Sequence, residues 1–513
     1  MPFFYIDSSE ITNNFHENLR KKIKNQDYFS KRIELIPSDL SDDKEFSTKI
    51  NSLLFKDQTN SKKFGDSIPF DEAAIKKIIN SIKSEGIQEI TIDYLRYINS
   101  KADEIIKINE EAFLELVDLI IKYYNVNSYL SWNSIILQTL SNITNTFQKL
   151  GKIIIRSIDF EKTRRYLENS NYQMYSNIIY FIPALLDLKD ENFNDLFIKK
   201  GFIKAFCAGY HLYKSSCSIM FLERVSWSMA NIMYIYEEDY NNYFEPLINL
   251  IEELLFIDPN NYQIIHWALL ALARSTAYCF PDWAKKLIDK TGISYLVKLL
   301  MPSVDKKVFE VSIQILGNCI LFEYRDDEIL LVHKVHRIIL EFLNKVGISS
   351  LKNCAYEICW FLYIIIIEKK NKVNEYLEEG ILPHLITIIM EQDFDKYGQE
   401  EAAKLACIIL QNITDNQFEL ILKETKFFHA LIYFIGYKNF EFENSLFIFD
   451  TITLCIELKS TKKMRNLIIQ IVDELTLFES FSSNVNSSNP GISRFCNEIM
   501  SMYHEYKYQE EFS

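Results

Sequence analysis

Trp227 and Asn231 stand four residues apart in Val225-Ser-Trp-Ser-Met-Ala-Asn-Ile232, a spacing that puts both side chains on one face of a helix. An asparagine amide donates to a peptide carbonyl and accepts from a peptide N–H, so it holds an extended ligand backbone without reading its side chains. An indole face beside it forms a slot for the stem and cationic head of lysine or arginine, at about 0.5–2 kcal/mol per contact. The chemistry such a pair supports is recognition of a basic peptide. Other constellations carry less. His333 and His336 share a short stretch, Val332-His-Lys-Val-His336, without a neighbouring cysteine or acid to complete a metal site. Glu237, Glu238 and Asp239 read as a solvated turn. No Walker loop, GxSxG or HExxH motif occurs, so we expect no enzymatic activity, no metal and no cofactor.

The elements that must position the pair are helices. Among 513 residues there are only 12 Gly and 10 Pro, too few for the many positive-φ connections of sandwiches, propellers or Gly-loop nucleotide folds. The 37 Phe and 30 Tyr supply ample core, and a formal charge of −14 argues against nucleic acid as a partner. Nine cysteines without a CxxC pair suit a reducing compartment, with Cys354 and Cys359 as helix core. No signal peptide or myristoylation site opens the chain, and the most apolar run, Ile358 to Ile367, is about half of a membrane span. We therefore expect no membrane insertion. Residues 1–65 form a polar tail expected to be mostly disordered, and residues 66–513 a run of amphipathic helices with short breaks at Asp258-Pro-Asn-Asn261 and Gly398.

A repeat is visible. Lys199-Lys-Gly-Phe-Ile, Lys290-Thr-Gly-Ile-Ser and Glu378-Glu-Gly-Ile-Leu share one pattern, and Glu110-Glu-Ala-Phe-Leu repeats it with Ala for Gly. The third positions are separated by 89, 91 and 88 residues, twice a period of about 44 that suits armadillo or HEAT units. Intermediate units are expected near Phe244, Val335 and Phe427. The predicted fold class is all-α, an armadillo-repeat α-solenoid: a right-handed superhelix of about ten three-helix repeats with one continuous groove. Ser482 to Pro490 reads as a loop before a final helix.

The arrangement resembles the importin-alpha family, armadillo adaptors that carry proteins bearing basic nuclear localisation signals into the nucleus. The likeness rests on Leu140-Ser-Asn-Ile143, Phe193 to Gly201, Ser226 to Ile232, His266-Trp-Ala-Leu269, Leu316-Gly-Asn318, Gln411-Asn-Ile-Thr414 and Glu379 to Ile389 followed by Asp393-Phe-Asp395. It implies a ladder of cargo-signal residues that extends the first pair to Asn142, Trp267, Asn318, Trp360 and Asn412. Their ladder partners depart from the pattern: Gln138, Ala271, Gln314, Ile364 and Ile408, with Phe181 and Leu185 replacing one whole pair. Where the family places an acid that holds a key lysine, this chain has Lys189, flanked by Asp187 and Asp190. Trp132 and Trp283 fall outside the ladder and read as core.

In the tail, Leu19 to Arg32 resembles the second half of the family's importin-beta-binding segment, within residues 15–35. Leu19, Arg20, Lys21, Lys22, Lys24, Lys31 and Arg32 are the matching positions, although Ser8 to His16 lacks the upstream arginine cluster. The resemblance implies basic nuclear localisation signal peptides and an importin-beta-like carrier as partners. It also implies an exportin at the last repeats (Thr461 to Tyr508), shuttling between cytoplasm and nucleus, and a tail that competes for the groove. The alternative is an armadillo-repeat interaction scaffold in signalling or cytoskeletal complexes that no longer binds classical signals.

Overall fold

The computed structural model describes residues 70–512, apart from 87–88, 217, 236–240, 279–281, 302–303, 370–371, 425, 439–444 and 488. The basic tail segment and Glu237 to Asp239 lie outside the described residues. Two compact units meet the eye, one ending at Lys290 and one starting at Thr291, and no strand occurs among the described residues.

The first unit comprises α1 (Glu72–Glu85), α2 (Glu89–Ser100), α3 (Glu110–Val126), α4 (Leu130–Thr146), α5 (Gln148–Ser157), α6 (Phe160–Asn169), α7 (Tyr172–Leu186), α8 (Glu191–Lys199), α9 (Phe202–Tyr213), α10 (Ile219–Ile232), α11 (Asn241–Ile257), α12 (Tyr262–Tyr278) and α13 (Asp282–Thr291). The second comprises α14 (Ile293–Lys298), α15 (Lys306–Leu321), α16 (Val335–Val346), α17 (Ala355–Glu368), α18 (Val373–Glu378), α19 (Ile381–Met390), α20 (Lys396–Asn412), α21 (Asp415–Glu424), α22 (Phe427–Lys438), α23 (Ser445–Lys459), α24 (Lys462–Glu474), α25 (Phe478–Ser483) and α26 (Pro490–Phe512).

Helix starts are written locally. Asp71, Asn109, Asp159, Asn171, Asp190, Ser218, Asp305, Asp395 and Thr461 each accept from a backbone N–H of the first turn that follows, satisfying donors that have no intrahelical partner. The three repeat glycines all have positive φ, 78°, 81° and 79° at Gly201, Gly292 and Gly380; Gly201 and Gly380 form left-handed turns and Gly292 is more extended, with ψ of 138°, and in each case a helix follows immediately. Two expectations are corrected here. Ala112 lies inside α3, where Asn109 capping replaces the left-handed turn, so no glycine is needed. Gly398 is not a break but sits in the first turn of α20, its N–H 2.6 Å from Asp395 Oδ1.

Within each unit the helices pack in rows. In the first, α2, α4, α7, α10 and α12 follow one another, flanked by the row α6, α9, α11; in the second, α15, α17, α20, α23 and α26 do the same. Helices of these buried rows have neighbours on both sides, so their polar side chains must pair across the row. Asn142 Nδ2 donates to Asn99 Oδ1 at 3.0 Å, and Asn177 Nδ2 to the Ser134 carbonyl at 2.8 Å. Arg224 Nη1 donates to Ser176 Oγ at 2.7 Å and Arg274 Nη1 to the Ala230 carbonyl at 2.6 Å. In the second unit Gln314 Nε2 donates to Glu357 Oε1 at 2.8 Å and Gln411 Nε2 to Thr451 Oγ1 at 3.0 Å. The partners are 40 to 48 residues apart, so each tie joins equivalent helices about one sequence period away. Lys459 extends the device: its ammonium donates to the carbonyls of Leu410, Gln411 and Ile413 at 2.9, 3.0 and 2.6 Å, closing the C-terminal end of α20.

The run Ile358 to Ile367 is buried throughout and forms the middle of α17, and no described helix is long and apolar enough to cross a membrane. Trp360 of α17 lies against Gly317 of α15, where an added Cβ would stand 2.1 Å from the indole ring. Gly317→Ala is therefore expected to cost about 1–3 kcal/mol through overpacking. Gly398→Ala, whose Cβ would meet nothing nearer than 3.5 Å, should be neutral or gain up to about 1 kcal/mol. Urea unfolding followed by circular dichroism separates the two; equal midpoints would show that the ring does not need the glycine.

Candidate functional site

The ladder positions fall on the buried rows: Asn142, Trp227, Asn231 and Trp267 in the first unit, Asn318, Trp360 and Asn412 in the second. Each follows from helical spacing, since residues three, four and seven apart share a stripe. Their exposure differs from what a ligand slot requires. Trp227 is 7% exposed, its ring 5.8 Å from that of Tyr180 at 32°. Trp267 is buried and meets the His266 ring edge-on at 4.8 Å. Trp360 is fully enclosed and acts as a wedge between α15 and α17, so its ring has no face for a ligand. Trp283 is buried, whereas Trp132 is half-buried among Tyr123 and Tyr129.

The asparagines are equally committed. Asn142 is buried and bonded to Asn99, and Asn318 is buried. Asn231 and Asn412 are half-buried, and each turns its amide nitrogen back to the carbonyl four residues earlier, Trp227 at 2.9 Å and Ile408 at 2.8 Å. The helix carbonyl takes an Nδ2 hydrogen in each case.

The same stripes bring in charges that the motif did not single out. Three residues before Trp227 is Arg224, and three before Trp360 is Glu357; the i−3 position was the signal available in sequence. Around Tyr234 the first unit gathers two more cations, the Arg274 guanidinium at 5.4 Å and the Lys189 ammonium at 5.5 Å from the ring centre. Lys189 has φ of 51°, a left-handed conformation that a non-glycine residue adopts at a cost of about 1 kcal/mol or more. The second unit gathers acids instead. Glu357 of α17 and Glu400 and Glu401 of α20 are all buried; Gln314 of α15 holds Glu357, and Lys404 Nζ lies 3.1 Å from Glu400 and 2.8 Å from Glu401. Glu401 Oε2 and Gln314 Oε1 reach no hydrogen-bond donor among the described residues.

His333 and His336 do not share a face. His333 closes the turn Glu328–Val332, while His336 is buried in α16 with Nε2 2.9 Å from Glu375 Oε2. The acid absent from the local sequence is thus supplied 39 residues away, but no group of three ligating side chains that could hold a metal occurs among the described residues. Burial pushes the His336 imidazole below its usual pKa, outweighing the pull of Glu375. Burial raises Glu375, but hydrogen bonds from Lys372 and His336 win and hold it at about 2.

No protein-family model matches the chain, and no curated protein does. Among solved structures, the chain is similar to an engineered protein from the Northeast Structural Genomics Consortium at 15% identity and a TM-score of 0.57, covering 84% of this chain and 98% of that one. A second engineered protein from the same consortium aligns over 50% of this chain at 16% identity and a TM-score of 0.37. The first likeness supports the all-helical, solenoid-like fold.

Two outcomes are expected. Trp360→Ala should lower the unfolding free energy by about 3–5 kcal/mol, where a tryptophan kept for ligand contact would leave it nearly unchanged. A His336 held neutral in the fold contributes stability that is present above the unfolded pKa of about 6.5 and is lost as pH falls below it. Urea midpoints should therefore drop between pH 7 and 5, and His336→Gln should flatten that slope; an unchanged slope would remove His336 as its source.

Proposed function

We propose that the chain is a helical-repeat adaptor without enzymatic activity that holds an extended, basic protein segment on the buried-row edge of its second unit. The observation that carries this is the pair of buried carboxylates, Glu400 and Glu401, that share the one ammonium of Lys404. Buried carboxylates in excess are costly, and a lysine or arginine from a partner supplies the missing charge. Asn412, half-buried on the same row, leaves its oxygen for a peptide N–H. The importin-alpha likeness gives this reading its specific form: basic nuclear localisation signals as cargo, an importin-beta-like carrier recruited through residues 15–35, and traffic between cytoplasm and nucleus. The position differs from the expectation, because Trp227 is buried against Tyr180 and the residue one turn before it on α10 is a cation, Arg224. A second reading, an interaction scaffold that has lost classical signal binding, is favoured by the enclosure of Trp227, Trp267 and Trp360.

Titration of a rhodamine-labelled lysine-rich peptide separates the two. The adaptor reading expects micromolar or tighter binding, weakened at least about tenfold, some 1.4 kcal/mol, in Glu400→Gln/Glu401→Gln. Deleting residues 1–60 should strengthen it if the tail competes for the groove, and Trp227→Ala/Asn231→Ala should change it little. No binding with or without the tail would leave the scaffold reading.

A further inference from the structure

Tyr129, Tyr172, Ile219 and Tyr262 stand at the starts of α4, α7, α10 and α12, consecutive helices of the first unit's row, 43, 47 and 43 residues apart. They are 65%, 38%, 56% and 36% exposed, at turns where polar residues ordinarily meet water. Val126 and Leu212, at the ends of the helices that precede α4 and α10, are 83% and 58% exposed. The four starts are level and adjacent. Asn177 Nδ2 donates to the Ser134 carbonyl at 2.8 Å, Arg224 Nη1 to Ser176 Oγ at 2.7 Å and Asn261 Nδ2 to Glu223 Oε1 at 3.1 Å, all within the first two turns of these helices or just before them. The Tyr172 ring also stands 5.2 Å from that of Phe221, so one continuous apolar edge runs along the unit. Although 25% of the chain is charged, no charged residue lies within two positions of any of the four.

We propose that this edge pairs with the same edge of a second copy of the chain, running antiparallel, in an isologous dimer. The six side chains expose the equivalent of more than three whole ones, on the order of 700 Å² at about 200 Å² each. That exceeds the roughly 300–600 Å² of the largest apolar patch on a typical monomer and approaches one partner's share, about 800 Å², of a standard interface. Two further observations select a second copy as the partner. The 43–47–43 spacing is palindromic, so a two-fold axis between Tyr172 and Ile219 sets Tyr129 against Tyr262 and Tyr172 against Ile219 at once, and such a contact closes at two chains. Chains of formal charge −14 repel one another, and a neutral edge is where two copies meet with little of that repulsion. The polar ties fix the helix starts beforehand, which limits the ordering lost on association. The edge lies wholly in the first unit and uses neither Glu400 nor Glu401, so it stands or falls independently of the basic-segment reading.

Sedimentation velocity of the full chain over a wide concentration range tests it. A dimer is expected at about micromolar concentration, and it should persist at high salt because the contact is apolar. Tyr172→Glu/Ile219→Glu gathers carboxylates around the two-fold axis and should weaken association at least about a hundredfold. Tyr129→Glu alone, at the most exposed of the four positions, should weaken it at least about tenfold. Leu420→Glu, at an exposed position of the second unit, should leave it unchanged. Circular dichroism of Tyr129→Glu should match the wild type, which separates lost association from lost folding. A chain that is monomeric at every concentration overturns the proposal and leaves the edge to a different protein. A dimer that survives both edge variants, or that is lost equally in Leu420→Glu, overturns it as well.

Discussion

A helix with neighbours on both sides has nowhere to send its polar side chains except to those neighbours, and the buried rows of this protein are organised by that constraint. Asn142 to Asn99, Asn177 to Ser134, Arg224 to Ser176, Arg274 to Ala230 and Gln314 to Glu357 all span consecutive helices of a row. Leaving such a group unpaired costs about 1–3 kcal/mol, so each tie fixes which helix follows which and in what register. Apolar burial holds the rows together; the polar ties make the stacking specific.

The same constraint changes the meaning of the tryptophan and asparagine positions. On a half-exposed face, an indole and an amide four residues apart form a peptide grip. In a row closed on both sides, Trp360 fills the space above Gly317 and Asn142 becomes a strut to Asn99. Asn231 and Asn412 keep part of their surface, although each amide nitrogen is turned back to its own helix. The charges on the same stripes differ between the units. Arg224, Arg274 and Lys189 mark the first, and Glu357, Glu400 and Glu401 the second. Net charge, −14 over the chain, conceals this difference entirely.

Much of the fold was legible because helix starts and turns are local events. Gly201, Gly292 and Gly380 mark turns of positive φ in sequence and in structure, and Val335 and Phe427 begin helices where intermediate units were expected. Ala112 was misleading because a capping asparagine does the work of the glycine turn. The charged clusters were not legible. Arg224 is one arginine among 56 basic residues, and nothing beside it in the chain says that its partners lie on a helix 48 residues earlier.

By itself, then, the sequence determined the helical class, the period near 44 residues and the positions of most turns, because glycine scarcity, capping side chains and apolar periodicity act within a few residues of one another. Only the tertiary structure decided which of the ladder residues remain available, which carboxylates and guanidinium groups share an enclosure, and that His336 meets Glu375. Burial and pairing are properties of the helices one period away, and a side chain's chemistry follows from the neighbours those helices bring to it.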